Sequence, residues 1–256
     1  MVKVVPVPVR DDNYAYLLID PPSNKAAVVD PYDVPKVLAA AKELGVDIIA
    51  CLTTHHHDDH SGGNNTLAKA LPNVPIYGGS KQGQAVNHIV GDKDEFKLAT
   101  DIHIKCLATP CHTQDSICYY ATTSDASEPG AVFTGDTLFI AGCGRFFEGS
   151  GAEMNAALTY LGTLPDSTIV YNGHEYTKGN AAFAQSVDGA NPAVSERLAQ
   201  LVANNKITTG KSTIGDEKEW NPFMRLNASA IKTATGGATE TKIIDKLREM
   251  KNNYRG

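Results

Sequence analysis

A chain of 256 residues with 42% hydrophobic side chains has enough apolar content for one large domain or a domain with an appendage. Its formal net charge of −6 argues against broad nucleic-acid binding, which draws on clustered basic surface. No run of about 18 apolar residues is available to cross a bilayer. The N-terminal stretch Val2 to Val9 alternates like a strand instead of resembling a signal or transit peptide, so a soluble, cytoplasmic protein is expected.

Strands are predicted at Val2 to Val9, Tyr14 to Ile19 and Ala26 to Asp30, separated by turns such as Pro21-Pro22-Ser23-Asn24. Val34, Val37, Leu38, Ala41 and Leu44 then recur at helical spacing, with Gly45 as the stop. Short apolar strands follow at Ile48 to Leu52, Ile102 to Leu107, Ile117 to Ala121, Ala131 to Thr134 and Ile169 to Tyr171. Each runs directly into polar or metal-type residues, which places those residues on loops held by a sheet. After about Tyr176 the texture turns helical. Asn191-Pro192 reads as a cap and first helical position, and Val194, Leu198, Leu201 and Val202 form one apolar stripe. Ile243, Ile244, Leu247 and Met250 form another, while Thr208 to Asp216 and Gly236-Gly237 read as loops.

The five cysteines, Cys51, Cys106, Cys111, Cys118 and Cys143, are odd in number and lack Cys-x-x-Cys spacing, which indicates neither a disulfide framework nor a zinc knuckle. Cys51, Cys106 and Cys118 read as small buried hydrophobes in strands. His88 and His103 read as ordinary core or surface residues.

Chemistry concentrates in His55-x-His57-x-Asp59-His60, which directly follows a strand and precedes Gly62-Gly63. Imidazole mixed with carboxylate suits zinc, iron or manganese and not calcium or magnesium. Four ligands within six residues are too many for one catalytic ion that must keep an open position, so the cluster is expected to serve two. His56 and Asp58 alternate with the ligands and are expected to point away. Three further strand ends each offer one donor: His112 after Thr109-Pro110-Cys111, Asp136 after Thr134-Gly135, and His174 after Asn172-Gly173. The expected sets are His55, His57 and His112 for one ion and Asp59, His60 and His174 for the other, with Asp136 bridging. Two such ions hold a hydroxide, so no Ser or Cys nucleophile is required, and Cys111 beside His112 reads as a packing residue.

In this order the seven donors resemble the metallo-β-lactamase superfamily. The segments Thr109-Pro110-Cys111-His112-Thr113, Phe133-Thr134-Gly135-Asp136-Thr137-Leu138-Phe139, Gly142 to Gly149, Gly173-His174-Glu175-Tyr176-Thr177 and Asn221-Pro222-Phe223-Met224-Arg225 resemble glyoxalase II, the hydroxyacylglutathione hydrolases, within it. The resemblance covers essentially the whole chain. It implies an α+β fold, a four-layer αββα sandwich over residues 1–175 that carries catalysis, and a C-terminal helical substrate-binding domain over 176–256.

The activity so implied is hydrolysis of S-(2-hydroxyacyl)glutathione, chiefly S-D-lactoylglutathione, to glutathione and a 2-hydroxy acid by a metal-bridging hydroxide. Two divalent ions are implied, zinc first, with iron or manganese as alternatives. Asp59 and His60 are the expected catalytic residues, Asp59 by orienting the hydroxide. The expected substrate contacts are Arg145, Phe146, Phe147, His174, Tyr176, Arg248 and Lys251, with Phe183 and Cys143 as further candidates. Taken alone, Arg248 and Lys251 read as a solvated helix face, and only the resemblance turns them toward substrate. Two positions depart from relatives: Asp115-Ser116 stands where some have Gly-His, and Phe147 where some have Tyr, which removes a hydroxyl able to bind glutathione. The competing readings are a persulfide dioxygenase of the same superfamily, a nuclease, and a non-catalytic metal-stabilised binding protein. The complete second ligand set disfavours the first and the acidic balance the second, while room for a bridging water disfavours the third. The expected partner is the small-molecule thioester alone, with no nucleic acid and no membrane, and a monomer is expected.

Overall fold

The structure is a computed structural model that describes residues 2–255; Met1 and Gly256, the outer ends of the two expected domains, lie outside the described residues. The chain forms two compact units, Met1–Ala108 with Asp115–Gly135, and Thr109–Gln114 with Asp136–Gly256.

In the first unit, β1 (Lys3–Pro8), β2 (Tyr14–Asp20) and β3 (Lys25–Val29) form an antiparallel meander. It continues in parallel through β4 (Asp47–Leu52), β5 (Ile76–Gly78) and β6 (His88–Ile89). A second, antiparallel layer runs β10 (Ala131–Gly135), β9 (Ile117–Thr122), β8 (Ile102–Ala108) and β7 (Glu95–Leu98). Every residue of β2 is buried. A strand apolar on both sides must be covered on both faces. Ala15, Leu17 and Ile19 face the core shared with α1 (Val34–Leu44) and α3 (Asn64–Ala70), whereas Tyr16 points the other way, onto Phe133 of β10 at 5.4 Å between ring centroids.

The predicted strands and first helix all form, with ends shifted by one or two residues. Gly45 closes α1 in the left-handed conformation, at φ 67°. The single-turn α2 (Asp58–Ser61), α3 and the two- to four-residue strands β5, β6 and β7 carry too little periodicity to be read in advance. Gly62 and Gly63 form the turn between α2 and α3 with right-handed dihedrals, so neither is a glycine for the sake of positive φ. Gly63 is there for space. A Cβ at that position would lie 1.8 Å from the carbonyl oxygen of Pro31, a backbone atom that cannot rotate aside.

The second unit is helical apart from the hairpin β11 (Leu138–Phe139) and β12 (Gly142–Cys143) and the strand β13 (Ile169–Asn172). Its helices are α4 (Gly151–Leu161), α5 (Thr177–Asp188), α6 (Ala199–Asn204), α7 (Ile214–Trp220), α8 (Ser229–Thr235) and α9 (Glu240–Asn253). Asn191 caps as read, accepting from the Ala193 amide at 3.0 Å at the start of a π-helical turn that leads into α6. The predicted loop Thr208 to Asp216 is too long: α7 begins at Ile214, behind a reciprocal capping box of Thr213 and Asp216. Helix α4 starts the same way, with Ser150 and Glu153. Ile243, Ile244 and Leu247 form the buried stripe of α9, and Gly236 ends α8 at φ 62°.

The close approach at Gly63 yields a stability test. Gly63→Ala is expected to destabilise by about 3 kcal/mol through forced backbone displacement, seen as a lower urea midpoint at an unchanged slope.

Candidate metal centre and substrate pocket

The first four donors leave the end of β4 and turn through α2, with His57 as N-cap. One carboxylate organises them. Asp30 follows β3 in the left-handed region, at φ 47°, and is buried. Its Oδ1 accepts from the Thr54 amide (2.8 Å), and its Oδ2 from the Thr54 hydroxyl (2.7 Å) and from His60 Nδ1 (2.9 Å). A carboxylate only accepts, so His60 is protonated on Nδ1 and its lone pair sits on Nε2. The Thr54 hydroxyl has spent its proton on Asp30, so at 3.1 Å it accepts from His55 Nδ1, and the His55 lone pair is likewise on Nε2. Asp30 therefore fixes two imidazole tautomers at once, one directly and one through Thr54.

The donor spacing fits metal. Ligands about 2.1 Å from a tetrahedral ion stand ~3.4 Å apart. His55 Nε2 lies 3.1 Å from His57 Nδ1, and His60 Nε2 lies 3.8 Å from Asp59 Oδ2, whose position is fixed by Asn13 Nδ2 at 2.9 Å. His56 and Asp58 turn elsewhere as expected. His56 Nδ1 pairs with Asp115, itself bonded to Ser80, and Asp58 accepts from Gln84.

The second unit carries the other three donors. His112 Nδ1 donates to the Arg145 carbonyl at 3.0 Å, which leaves Nε2 to face Asp136 Oδ2 at 3.5 Å. His174 Nε2 faces that same oxygen at 3.3 Å. One carboxylate oxygen at ligand spacing from two imidazoles is the arrangement a bridging carboxylate requires. Gly144 allows it, because a Cβ there would stand 1.9 Å from the Asp136 carbonyl oxygen and 3.0 Å from His112 Nδ1. The His174 ring stacks on Tyr176, 4.7 Å between centroids and 7° from parallel.

A cavity of about 570 Å³ in this unit is lined by His112 and Asp136 together with Phe139, Arg145, Phe147, Tyr176, Arg248 and Lys251. Arg248 Nη1 donates to the Cys143 carbonyl (3.0 Å) with its guanidinium over the Phe223 ring, and its Nε is buried without a hydrogen bond. Lys251 Nζ donates to the Gly179 carbonyl (2.9 Å) and lies over the rings of Phe183 and Tyr254. Burial lowers the pKa of both cations, and Arg248 lowers that of Lys251 further. The lining acid Glu175 is engaged by the Thr208 amide and hydroxyl.

Phe147 is 61% exposed at the cavity edge, whereas Phe146 is half-buried outside the lining. Phe183 is buried beneath Lys251 and does not line the cavity, so its candidacy as a substrate contact is withdrawn: the ring fills the space between α5 and the C-terminal segment. All five cysteines are buried. Burial pushes the Cys111 and Cys143 thiols up to about 12, far from a nucleophilic thiolate. Sequence reading did not single out Asp30 or Asn13, since a turn aspartate and a loop asparagine carry no local mark of what they bond.

Comparison with known proteins agrees with this geometry. Residues 9–174 match the model of the metallo-β-lactamase superfamily, which defines the class: an α+β metallo-β-lactamase sandwich, here followed by helices. Residues 175–254 match the model described as hydroxyacylglutathione hydrolase C-terminus. A probable hydroxyacylglutathione hydrolase of Schizosaccharomyces pombe is 45% identical over 98% of both chains. The cytoplasmic hydroxyacylglutathione hydrolase of Arabidopsis thaliana is 41% identical over 99% of this chain and 100% of its own. The chain belongs to the hydroxyacylglutathione hydrolase family. Among solved structures, ETHE1 from Myxococcus xanthus shares the fold at a TM-score of 0.66 and 26% identity, over 98% of this chain and 97% of its own. Divalent-metal binding follows from the superfamily match and these donors. Among the described residues, no helix is long and apolar enough to cross a membrane.

Because Asp30 sets two tautomers, Asp30→Asn is expected to weaken metal affinity by about 10- to 100-fold. Competition with a chromogenic chelator measures this, with circular dichroism to show that the fold persists.

Proposed function

We propose that this chain hydrolyses the thioester of S-(2-hydroxyacyl)glutathione, chiefly S-D-lactoylglutathione, to glutathione and D-lactate, the second step of methylglyoxal detoxification. The observation that carries this reading is one cavity that combines His112 and Asp136 with Arg145, Arg248 and Lys251. Glutathione bears two carboxylates, and this cavity offers Arg145 together with Arg248 and Lys251, the last two held by the backbone carbonyls of Cys143 and Gly179. Residues 1–175 act as the catalytic domain and 176–256 as the substrate-binding domain.

His55, His57 and His112 would hold one divalent ion and Asp59, His60 and His174 a second, with Asp136 as the donor common to both. Zinc is the favoured metal on the strength of five imidazoles, and iron or manganese would suit the same donors. When bound, such a pair supplies hydroxide at neutral pH and polarises the acyl carbonyl. The chain's own residues do the rest. Asp59, steadied by Asn13, orients the attacking water by accepting its proton-bearing edge. Arg145, Arg248 and Lys251 hold the glutathione carboxylates, and Tyr176 and Phe147 flank the peptide at the rim. The leaving group is a thiolate, stable enough in water to depart without a general acid, so no donor is needed opposite the acyl carbon. The protein acts as a cytoplasmic monomer.

The test is loss of the thioester absorbance of S-D-lactoylglutathione. Asp59→Ala and His174→Ala are expected to lower kcat/KM by at least about 10²-fold through the lost metal-site chemistry. No turnover by fully metallated wild type would overturn the reading. Arg248→Ala with Lys251→Ala is expected to raise KM about tenfold or more with little change in kcat, the signature of binding shared by ground and transition states. Because Lys251 is held below the ordinary lysine range and binds as the cation, KM is expected to rise with pH earlier than an exposed lysine would allow. Lys251→Met should abolish that limb in a KM-against-pH profile.

A further inference from the structure

Glu217, on α7, is fully buried and plays no part in the chemistry above. Its carboxylate is saturated. Oε1 accepts from the Ser212 hydroxyl and from Trp220 Nε1 (3.0 Å), while Oε2 accepts from the Ala141 amide (2.8 Å) and from Asn221 Nδ2 (3.0 Å). Burial nevertheless pushes its carboxyl up to about 7, so desolvation outweighs all four donors. A buried carboxylate retained at such a cost, where an apolar side chain could fill the space, calls for a reason in what it holds.

What it holds is the hairpin of β11 and β12. The turn residue Ala141 sits at φ 55°, a left-handed conformation that a non-glycine residue adopts only when held. Glu217 takes its amide. Asn221 Nδ2, bonded to the same carboxylate oxygen, also donates to the carbonyls of Phe139 (3.3 Å) and Gly142 (3.0 Å). Asn180 Nδ2 donates to the Ile140 carbonyl at 3.1 Å. Each turn residue from Phe139 to Gly142 is thus gripped by a helix side chain. Immediately beyond the turn come Cys143, Gly144 and Arg145, which line the cavity, and Arg145 supplies the carbonyl that fixes His112.

We propose that Glu217 is a positioning residue for the substrate pocket: with Asn221 it clamps the Leu138–Cys143 hairpin, so that the wall from Cys143 to Arg145 is set before substrate arrives. The inference rests on the reading of this cavity as the glutathione-thioester site. It has a built-in reporter, because Trp220, the chain's single tryptophan, donates to Glu217 and lies outside the cavity lining.

Glu217→Gln isolates the charge. A carboxamide offers one oxygen, so its NH2 must face either the Ala141 and Asn221 donors or the Trp220 donor, and one side of the clamp opens. In the metallated full chain, hydrogen exchange of the amides from 139 to 145 is expected to accelerate about tenfold or more. KM for S-D-lactoylglutathione should rise about tenfold, by more than kcat falls. Glutathione added to wild type should leave Trp220 fluorescence unchanged, because the clamp is closed before it binds. A Glu217→Gln protein that melts lower yet keeps the wild-type hairpin exchange rate and KM would reduce Glu217 to a purely structural role and overturn the proposal. Should that variant not fold, wild type decides: amides from 139 to 145 that exchange in the free, metallated protein as fast as those of an exposed loop overturn it equally. Absence of glutathione binding to wild type would instead sink the substrate reading, while the exchange rates would still decide the clamp.

Discussion

The demand that each buried imidazole commit one nitrogen to an acceptor, so that the other is aimed, governs the metal-type site. Asp30 meets it for His60 directly and for His55 through the Thr54 hydroxyl. The Arg145 carbonyl meets it for His112. Without those acceptors a neutral imidazole could carry its proton on either nitrogen, and some molecules would present an N–H where a metal needs a lone pair. The strand ends are arranged to supply such acceptors. Asp30 closes β3, Thr54 follows β4, and the left-handed turn at Asp30 points its carboxylate at both.

The cavity follows the opposite rule. Arg248 and Lys251, both half-buried, are given backbone carbonyls and aromatic faces as partners. Carbonyls and ring faces orient a cation without neutralising it, so the charge stays available to an anionic ligand. Burial lowers the pKa of both groups and Arg248 lowers that of Lys251 further, while the contact with Cys143 works the other way on Arg248. Phe183 and Phe223 acquire their meaning here: they are the floor under the cations, stacked on each other at 6.2 Å.

Much of this was legible in the sequence, and the division is physical. Long elements with sustained periodicity, such as α1 and the α9 stripe, declared themselves through burial alone. Four of the seven donors were legible because four histidines and two aspartates packed after an apolar strand have no ordinary structural use, and His112, Asp136 and His174 because each follows a strand end. What escaped were contacts distant in sequence. Asp30 lies 30 residues from His60, and Glu217 lies 76 from Ala141; nothing in the local pattern of either residue marks its partner. The overlong loop at Thr208 to Asp216 had a local signal, the Thr213-x-x-Asp216 capping box, overlooked because a glycine and a lysine precede it.

The two buried acids, Asp30 and Glu217, do one job on different targets. Each ties a residue at positive φ to distant chain: Asp30, itself at positive φ, takes donors from Thr54 and His60, and Glu217 takes the amide of Ala141. On the proposed reading the first loop carries metal-holding groups and the second leads into the wall that faces glutathione. Loosening the first should therefore fall on metal affinity and turnover, and loosening the second on KM. The two networks are nevertheless linked at Arg145, whose carbonyl fixes His112 just beyond the clamped hairpin, so the effects of disturbing both should depart from simple addition on a free-energy scale.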